Sequence, residues 1–537
     1  MKKSALVADW NTLMRTFIRP DDERTKATLI KYMEQIQFGL HDFLSEHVGI
    51  TEEVSLKELS DNLSDTRISK NPEKKLADVI TDLIEDIAPH AVNITSPYFV
   101  GHMTSAIPFF MIHLKTIVAA LNQNVVKLET SKVCSVLEKQ VLAKIHRMIY
   151  QRSESFYKKH VQNTNSTLGS FVECGTLANI TALWVARNKL FPPKGNFTDV
   201  EHEGIQAAYH AHGVERCVVL VSRLGHYSLR KAGGLLGIGN QNIIPIDIDH
   251  NNRVDLKRLN DQMQEIDRDQ GKTRILAIIG VAGATETGTI DPLRKIGEIC
   301  KQRKIHFHVD AAWGGPTIMS EKYRHLFDGI EMADSITIDG HKQFYMPMGC
   351  GMVYFRDPHA MDVVAYHANY INRPGSVDLG IKSLSGSREA SSLILDSALK
   401  IMGSRGYSLL YEHGIETARE FAEEINKRPL FEVITRPELN ILTYRLCPNA
   451  KGMLSGRNSP KEIQINERLN EINRTVQRLQ REAGNSFVSR TTLKILNGSN
   501  GINTVVLRCV IMNPMTNMMI LREILDEQED IYRRTFT

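Results

Sequence analysis

His226 in SRLGHYSLRKAGG, Asp310 in HFHVDAAWGG and the neighbours His341 and Lys342 in TIDGHK each stand where an apolar, β-branched run ends, as do Ala284 and Thr285 in VAGATETG. Amine, imidazole and carboxylate are the side chains that attack carbonyl carbon and move protons. In an open α/β sheet, ligands bind outside the carboxyl ends of the strands, so these residues fall on one rim. Taken singly, each has a plainer reading. Asp310 can cap a helix, Lys342 can be a solvated loop lysine, and His226 a satisfied core histidine. In this order, with Asp310 and Lys342 thirty-two positions apart, they read together as one site.

The elements that must position them follow from periodicity. From about residue 165 to 360 the runs RCVVLVS, NIIPIDID, RILAIIGVAG, KIHFHVDAA, DSITIDG and CGMVYF alternate with helix-like stretches such as DPLRKIGEICKQRK. Strands alternating with helices predict crossover connections and a mainly parallel sheet covered on both faces. Residues 1–95 carry helix-period apolar positions, as in TLIKYMEQIQFGLHDFLSEHV, and predict an all-helical N-terminal region. After residue 386 a helix precedes the strands FEVITR, NILTYRL and NTVVLRCVIM of a smaller α+β region, with KGMLSGRNSP as a loop.

At 537 residues, 42% hydrophobic and 24% charged, the chain is long enough for two or three packed regions. Its net charge of +4 is interleaved along the chain and argues against nucleic acid as a partner. Seven widely spaced cysteines without a CxxC pair suit reduced thiols, and no metal site is expected. The most apolar window, SAIPFFMIHLKTIVAAL, is broken by Pro108, His113 and Lys115, and the N-terminus lacks a signal-like apolar stretch. No membrane association is expected, and the cytoplasm is the expected location.

The stretches HYSLRKAGGLLGIG, HVDAAWGG and ADSITIDGHKQFYMPMGCG closely resemble the group II decarboxylases that use pyridoxal phosphate, the glutamate decarboxylase family. The resemblance runs from about 90 to 390 and again near 500 to 515, and the form TIDGHK…MPMGCG is most similar to the bacterial aspartate 1-decarboxylase branch. It implies a fold of the aspartate aminotransferase type (fold type I). The large cofactor-binding α/β domain would span 96–385, a small α+β domain 386–537, and the helical region 1–95 would serve a homodimer contact.

The resemblance also implies roles that the chemistry can be held against. Lys342 would form the Schiff base with the cofactor aldehyde. Asp310 would keep the pyridine nitrogen protonated, His226 would stack on the ring, and Ala312 would pack its other face. The phosphate needs N–H groups and hydroxyls at a helix N-terminus. FVECGTLANITALWVAR supplies Gly175 and Thr176, with Asn179 one turn further in; Thr285 and His341 complete the cofactor set. Glu173, beside that turn, would repel a phosphate unless it points away. A tyrosine on the loop between the lysine and the next arginine-bearing helix would protonate Cα after decarboxylation; Tyr366 and Tyr370 are available, and Tyr370 sits in the more polar part.

An acidic substrate would be held by its distal carboxylate, for which a bidentate arginine is the natural partner. Arg508 lies inside the apolar strand NTVVLRCVIM, where a guanidinium is costly without an anion. The alternative is an internal salt bridge. In the resembling family this arginine grips the substrate's side-chain carboxylate. His102 in SPYFVGHMTSA falls in the family's substrate-lining region and is either a carboxylate contact or structural. The expected reaction is α-decarboxylation of L-aspartate to β-alanine, with glutamate or cysteine sulfinate as alternative substrates. A related aminotransferase, or a non-catalytic binding protein that keeps the fold, are the remaining readings.

Overall fold

A computed structural model describes residues 9–10, 23–46, 56–367, 378–449, 459–497 and 500–537. Its centre is a seven-stranded sheet in the order β1-β7-β6-β5-β4-β2-β3. The strands are β1 (Gly169–Val172), β2 (Arg216–Ser222), β3 (Ile243–Ile246), β4 (Thr273–Val281), β5 (His306–Asp310), β6 (Ser335–Asp339) and β7 (Gly351–Phe355). Only β7 runs against its neighbours. The mainly parallel sheet is therefore the one the alternating pattern predicts. Its β-branched strands are buried almost throughout because helices cover both faces.

Four helices bear on the placement of the site: α1 (Phe109–Leu121), α2 (Val133–Tyr150), α3 (Gly175–Leu190) and α4 (Ser391–Lys427). α3 is buried over much of its circumference, through Ala178, Ala182, Leu183, Val185 and Ala186, because it lies against the sheet between flanking elements. Arg388, just ahead of α4, is tied to Glu138 of α2 by a buried bidentate ion pair at 2.6 and 2.8 Å.

The C-terminal part folds as an antiparallel sheet, β10-β11-β9-β8. It comprises β8 (Phe431–Thr435), β9 (Ile441–Leu446), β10 (Ser489–Asn497) and β11 (Asn500–Val510), covered by α5 (Pro460–Ala483) and α6 (Met518–Phe536). The segment around Val100 is stitched to this sheet: Val100 N donates to Phe487 O at 3.0 Å, and Val510 N donates to Val100 O at 2.7 Å. The segment at residue 100 is thus held by the C-terminal sheet, although it lies in the stretch assigned by sequence to the large domain.

In the N-terminal region, residues 63–75, with their Asn, Asp, Ser and Pro, form no helix and connect Leu56–Asn62 to Leu76–Asp82. Strands β1 and β10 are absent from the sequence reading, because β1 is only four residues long and β10 mixes Arg, Thr and Lys into an edge position. The loop read in KGMLSGRNSP lies mostly outside the described residues, but its end is a helix start. Ser459 accepts from Glu462 N at 3.2 Å, Glu462 reaches back to Ser459 N, and Pro460 occupies the first turn. Among the described residues no helix is long and apolar enough to cross a membrane.

Candidate active site

The carboxyl ends of β2, β4, β5 and β6 open onto a cavity of about 390 Å3. Every site residue expected from sequence lines it except Tyr370, which lies outside the described residues. Tyr366, the other loop tyrosine, is exposed and lines a separate depression.

Lys342 follows β6 by three residues, and its Nζ lies 3.1 Å from Asp339 Oδ2. The chain reverses immediately into β7, and the reversal is tight: a Cβ on Gly351 would meet backbone atoms of Cys174 at 2.6–2.9 Å. This contact brings the lysine loop against the start of α3. His341 turns its Nδ1 to Cys350 O at 2.7 Å, which leaves Nε2 toward Asp339 at 3.7 Å.

Asp310 closes β5 and is 6% exposed. Its Oδ1 accepts from Ala312 N at 3.2 Å and its Oδ2 from Asn179 Nδ2 at 3.0 Å. Asn179 also donates to Ser228 Oγ at 3.0 Å, while its Oδ1 accepts from His308 Nε2 at 3.0 Å and Thr337 Oγ1 at 2.7 Å. Ser228 in turn lies 2.8 Å from His226 Nδ1. Asn179 is thus spent on the protein at both ends of its amide, and the phosphate contact expected of it is corrected to a bridge between Asp310 and the His226 loop. Behind it, His308 continues to Ser335 Oγ at 2.9 Å and Ser335 to His306 Nε2 at 2.7 Å. Burial pushes both His306 and His308 down to about 4, so the chain is one of neutral imidazoles near neutral pH.

Sequence reasoning missed Ser228, His308, Ser335, Thr337 and Asp339. A signal was present. HFHVD and SITID alternate polar and apolar residues, so His306, His308 and Asp310 share one face of β5, and Ser335, Thr337 and Asp339 share that face of β6. The register pairs His308 with Ser335 and Asp310 with Thr337.

At the other wall stands Arg508 of β11, 7% exposed, its basicity lowered by burial to about 10. Nε donates to Thr285 O at 2.7 Å, and Nη1 to Gly101 O and Ser489 Oγ, both at 3.2 Å. Nη2 has no hydrogen-bond partner among the described residues. Among the described residues no salt bridge within 4 Å holds this arginine, and the acid it feels is Glu286, whose carboxyl pKa is raised by burial and whose Oε2 has no hydrogen-bond partner among those residues. His102 lines the cavity with part of its surface open to solvent and Nδ1 3.2 Å from Thr104 Oγ1; partial desolvation by the cavity walls, then the charges of Arg508 and Lys342, lower its basicity.

The lining fits pyridoxal phosphate. α3 begins at Gly175 with no side-chain cap, so its first N–H groups are available to an anion. Glu173 points away and accepts from Ser385 Oγ at 2.8 Å. An amine, a buried carboxylate held by two donors and an imidazole face the same space, whose size suits a small cofactor with a small substrate.

Residues 58–447 match the sequence profile of the pyridoxal-dependent decarboxylase conserved domain. The chain is 43% identical to aspartate 1-decarboxylase of Aliivibrio fischeri over 98% of its own length and 95% of that protein's. Among solved structures it resembles the glutamate decarboxylase domain of the diaminobutyrate-pyruvate transaminase and L-2,4-diaminobutyrate decarboxylase from Vibrio parahaemolyticus. The TM-score is 0.79 at 19% identity, covering 98% of this chain and 100% of that one. It resembles Oryza sativa TDC with PLP and tryptamine equally in shape, with TM-score 0.79, 18% identity and coverage of 97% and 100%. Identities this low speak for the fold alone.

Proposed function

The chain belongs to the pyridoxal-dependent decarboxylase family, and on that premise we propose that it removes the α-carboxyl group of an acidic amino acid, principally L-aspartate, giving β-alanine and carbon dioxide. The observation that carries the acidic class is Arg508. A buried guanidinium with no ion pair among the described residues is costly, and Arg508 lines the cavity in which a substrate carboxylate would supply the anion. Held there by its distal carboxylate, the substrate leaves its α-carboxylate free of a strong ion pair that would favour the ground state. Near-full-length similarity to an aspartate 1-decarboxylase supports aspartate within that class.

Pyridoxal phosphate supplies the electron sink for the carbanion left when carbon dioxide departs. Lys342 would hold it covalently, Gly175, Thr176 and His341 its phosphate, His226 and Ala312 its ring. Asp310, oriented by Asn179 and the Ala312 amide, would hold a proton at the pyridine nitrogen. Proton delivery to Cα is assigned to Tyr370 on sequence grounds. His102, close enough to Arg508 for its charge to be felt, would donate to the distal carboxylate as a neutral imidazole.

We propose a cytoplasmic homodimer as the working assembly. Phe109, Ile112, Ile117 and Leu121 are exposed on one broad face of α1, as an unformed subunit contact would be. Turnover of aspartate, glutamate and cysteine sulfinate by the cofactor-loaded enzyme tests the substrate assignment. The highest kcat/KM is expected for aspartate, and a higher value for glutamate, with γ-aminobutyrate as product, would overturn it.

A further inference from the structure

Asp339 takes no part in the reaction scheme proposed for the site. It closes β6, is 3% exposed, and has one carboxylate oxygen 3.1 Å from Lys342 Nζ and 3.7 Å from His341 Nε2. Its other oxygen, Oδ1, is buried without a hydrogen-bond partner. The same carboxylate stands over the first residue of α3: a Cβ on Gly175 would meet Oδ2 at 2.8 Å and Oδ1 at 3.0 Å. It therefore lies between the amine that must react and the uncapped helix start that must receive a phosphate.

Two requirements collide at this carboxylate. A phosphate arriving at α3 would face a second anion, and an ammonium has no lone pair with which to attack an aldehyde. One proton transfer answers both. We propose that Asp339 takes the Lys342 proton as the cofactor loads. The Nζ–H bond breaks and an Oδ2–H bond forms. The amine is left neutral with its electron pair free, and the carboxyl group, now neutral, donates its O–H toward the phosphate in place of repelling it. The condensation that follows joins Nζ to the aldehyde carbon as C=N and releases the aldehyde oxygen as water. Burial favours the discharge, because two charges withdrawn from water become two neutral groups. The titratable groups facing Asp339 are Lys342 and His341 on its own loop, His226 from the loop after β2, and the Cys350 thiol before β7. Of these groups, Lys342 alone stands within hydrogen-bonding reach of the carboxylate among the described residues.

The inference rests on the cofactor assignment, and the experiment separates the two. Cofactor-free enzyme is mixed with pyridoxal phosphate, and covalent capture is followed by absorbance in the wild type and in Asp339→Asn, which keeps the shape but accepts no proton. Capture by the variant is expected to be about 100-fold slower near neutral pH. Its rate should climb as pH is raised and solvent base takes over the deprotonation of the amine, whereas the wild-type rate stays nearly flat. Equal rates, or a slowing that pH does not relieve, would overturn the proposal. So would a wild-type rate that itself rises about tenfold per pH unit, whatever the variant does. Cofactor bound by the wild type without covalent capture overturns this inference and the covalent role of Lys342 but leaves the cofactor assignment standing; no binding at all overturns the cofactor assignment as well.

Discussion

Arg508 lines the cavity and spends Nε and Nη1 on Thr285, Gly101 and Ser489, which leaves Nη2 without a hydrogen-bond partner among the described residues. Arg508→Met should lower kcat/KM for aspartate by about 100-fold or more, mostly through KM, with cofactor absorbance retained. An unchanged KM in steady-state assays would contradict the reading. Asn179 has the converse character: it touches no anion that must be bound, yet it spans Asp310, Ser228, His308 and Thr337. Asn179→Ala leaves several buried groups unpaired and should cost about 2–4 kcal/mol in urea unfolding. Its place one turn past Gly175 suggested a phosphate contact, because sequence spacing gives distance along the helix but not which face meets the sheet. Lys342, Asp310, His226 and Arg508 were legible as residue types out of place: charges and imidazoles ending or interrupting apolar runs. Asp339 was hidden by its neighbour Lys342, the more conspicuous chemistry.

The elements explain why these residues converge. β5 and β6 each present a polar face by strict alternation, and their parallel register stacks His308 on Ser335 and Asp310 on Thr337 beneath α3. α3 can approach because it begins with glycine, whose absent Cβ leaves room for the Asp339 carboxylate. Gly175→Ala should weaken cofactor binding at least tenfold in a spectroscopic titration by shifting the helix start or that carboxylate; unchanged affinity would show that neither is part of the site. The β-branched strands and the crossover helices were readable because both faces of the sheet are buried. β1 and β10 were not, since a short edge strand and a polar one carry little of that signal. The capping box at Ser459 was legible in principle, as Ser-Pro-Lys-Glu ahead of an amphipathic run.

At the scale of the molecule, the site lies where two sheets meet: β11 brings Arg508 to the rim of the seven-stranded sheet, where its Nε donates to Thr285 O beyond the end of β4. The pattern of strands could not reveal this contact, which has no sequence neighbour to announce it. Whole-molecule stability should carry the mark of the buried imidazoles. His308 titrates at about 4 when folded, against 6.5 for an ordinary histidine. Below 6.5 the unfolded chain takes up a proton that the folded one refuses, so stability falls as pH drops toward 4. Relative to His308→Gln, the wild type should lose about 1.4 kcal/mol more per pH unit across that window in urea titrations. Charging the apolar face of α1 by Phe109→Asp with Ile112→Asp should convert a dimer to monomers in sedimentation, and a variant that stays dimeric would move the interface elsewhere. The most direct test of the proposed reaction is the fate of each carbon when loaded enzyme turns over aspartate labelled at the α-carboxyl group. Unlabelled β-alanine and labelled carbon dioxide are expected in equal amounts; alanine retaining the label, or oxaloacetate lacking the amino group, would contradict α-decarboxylation.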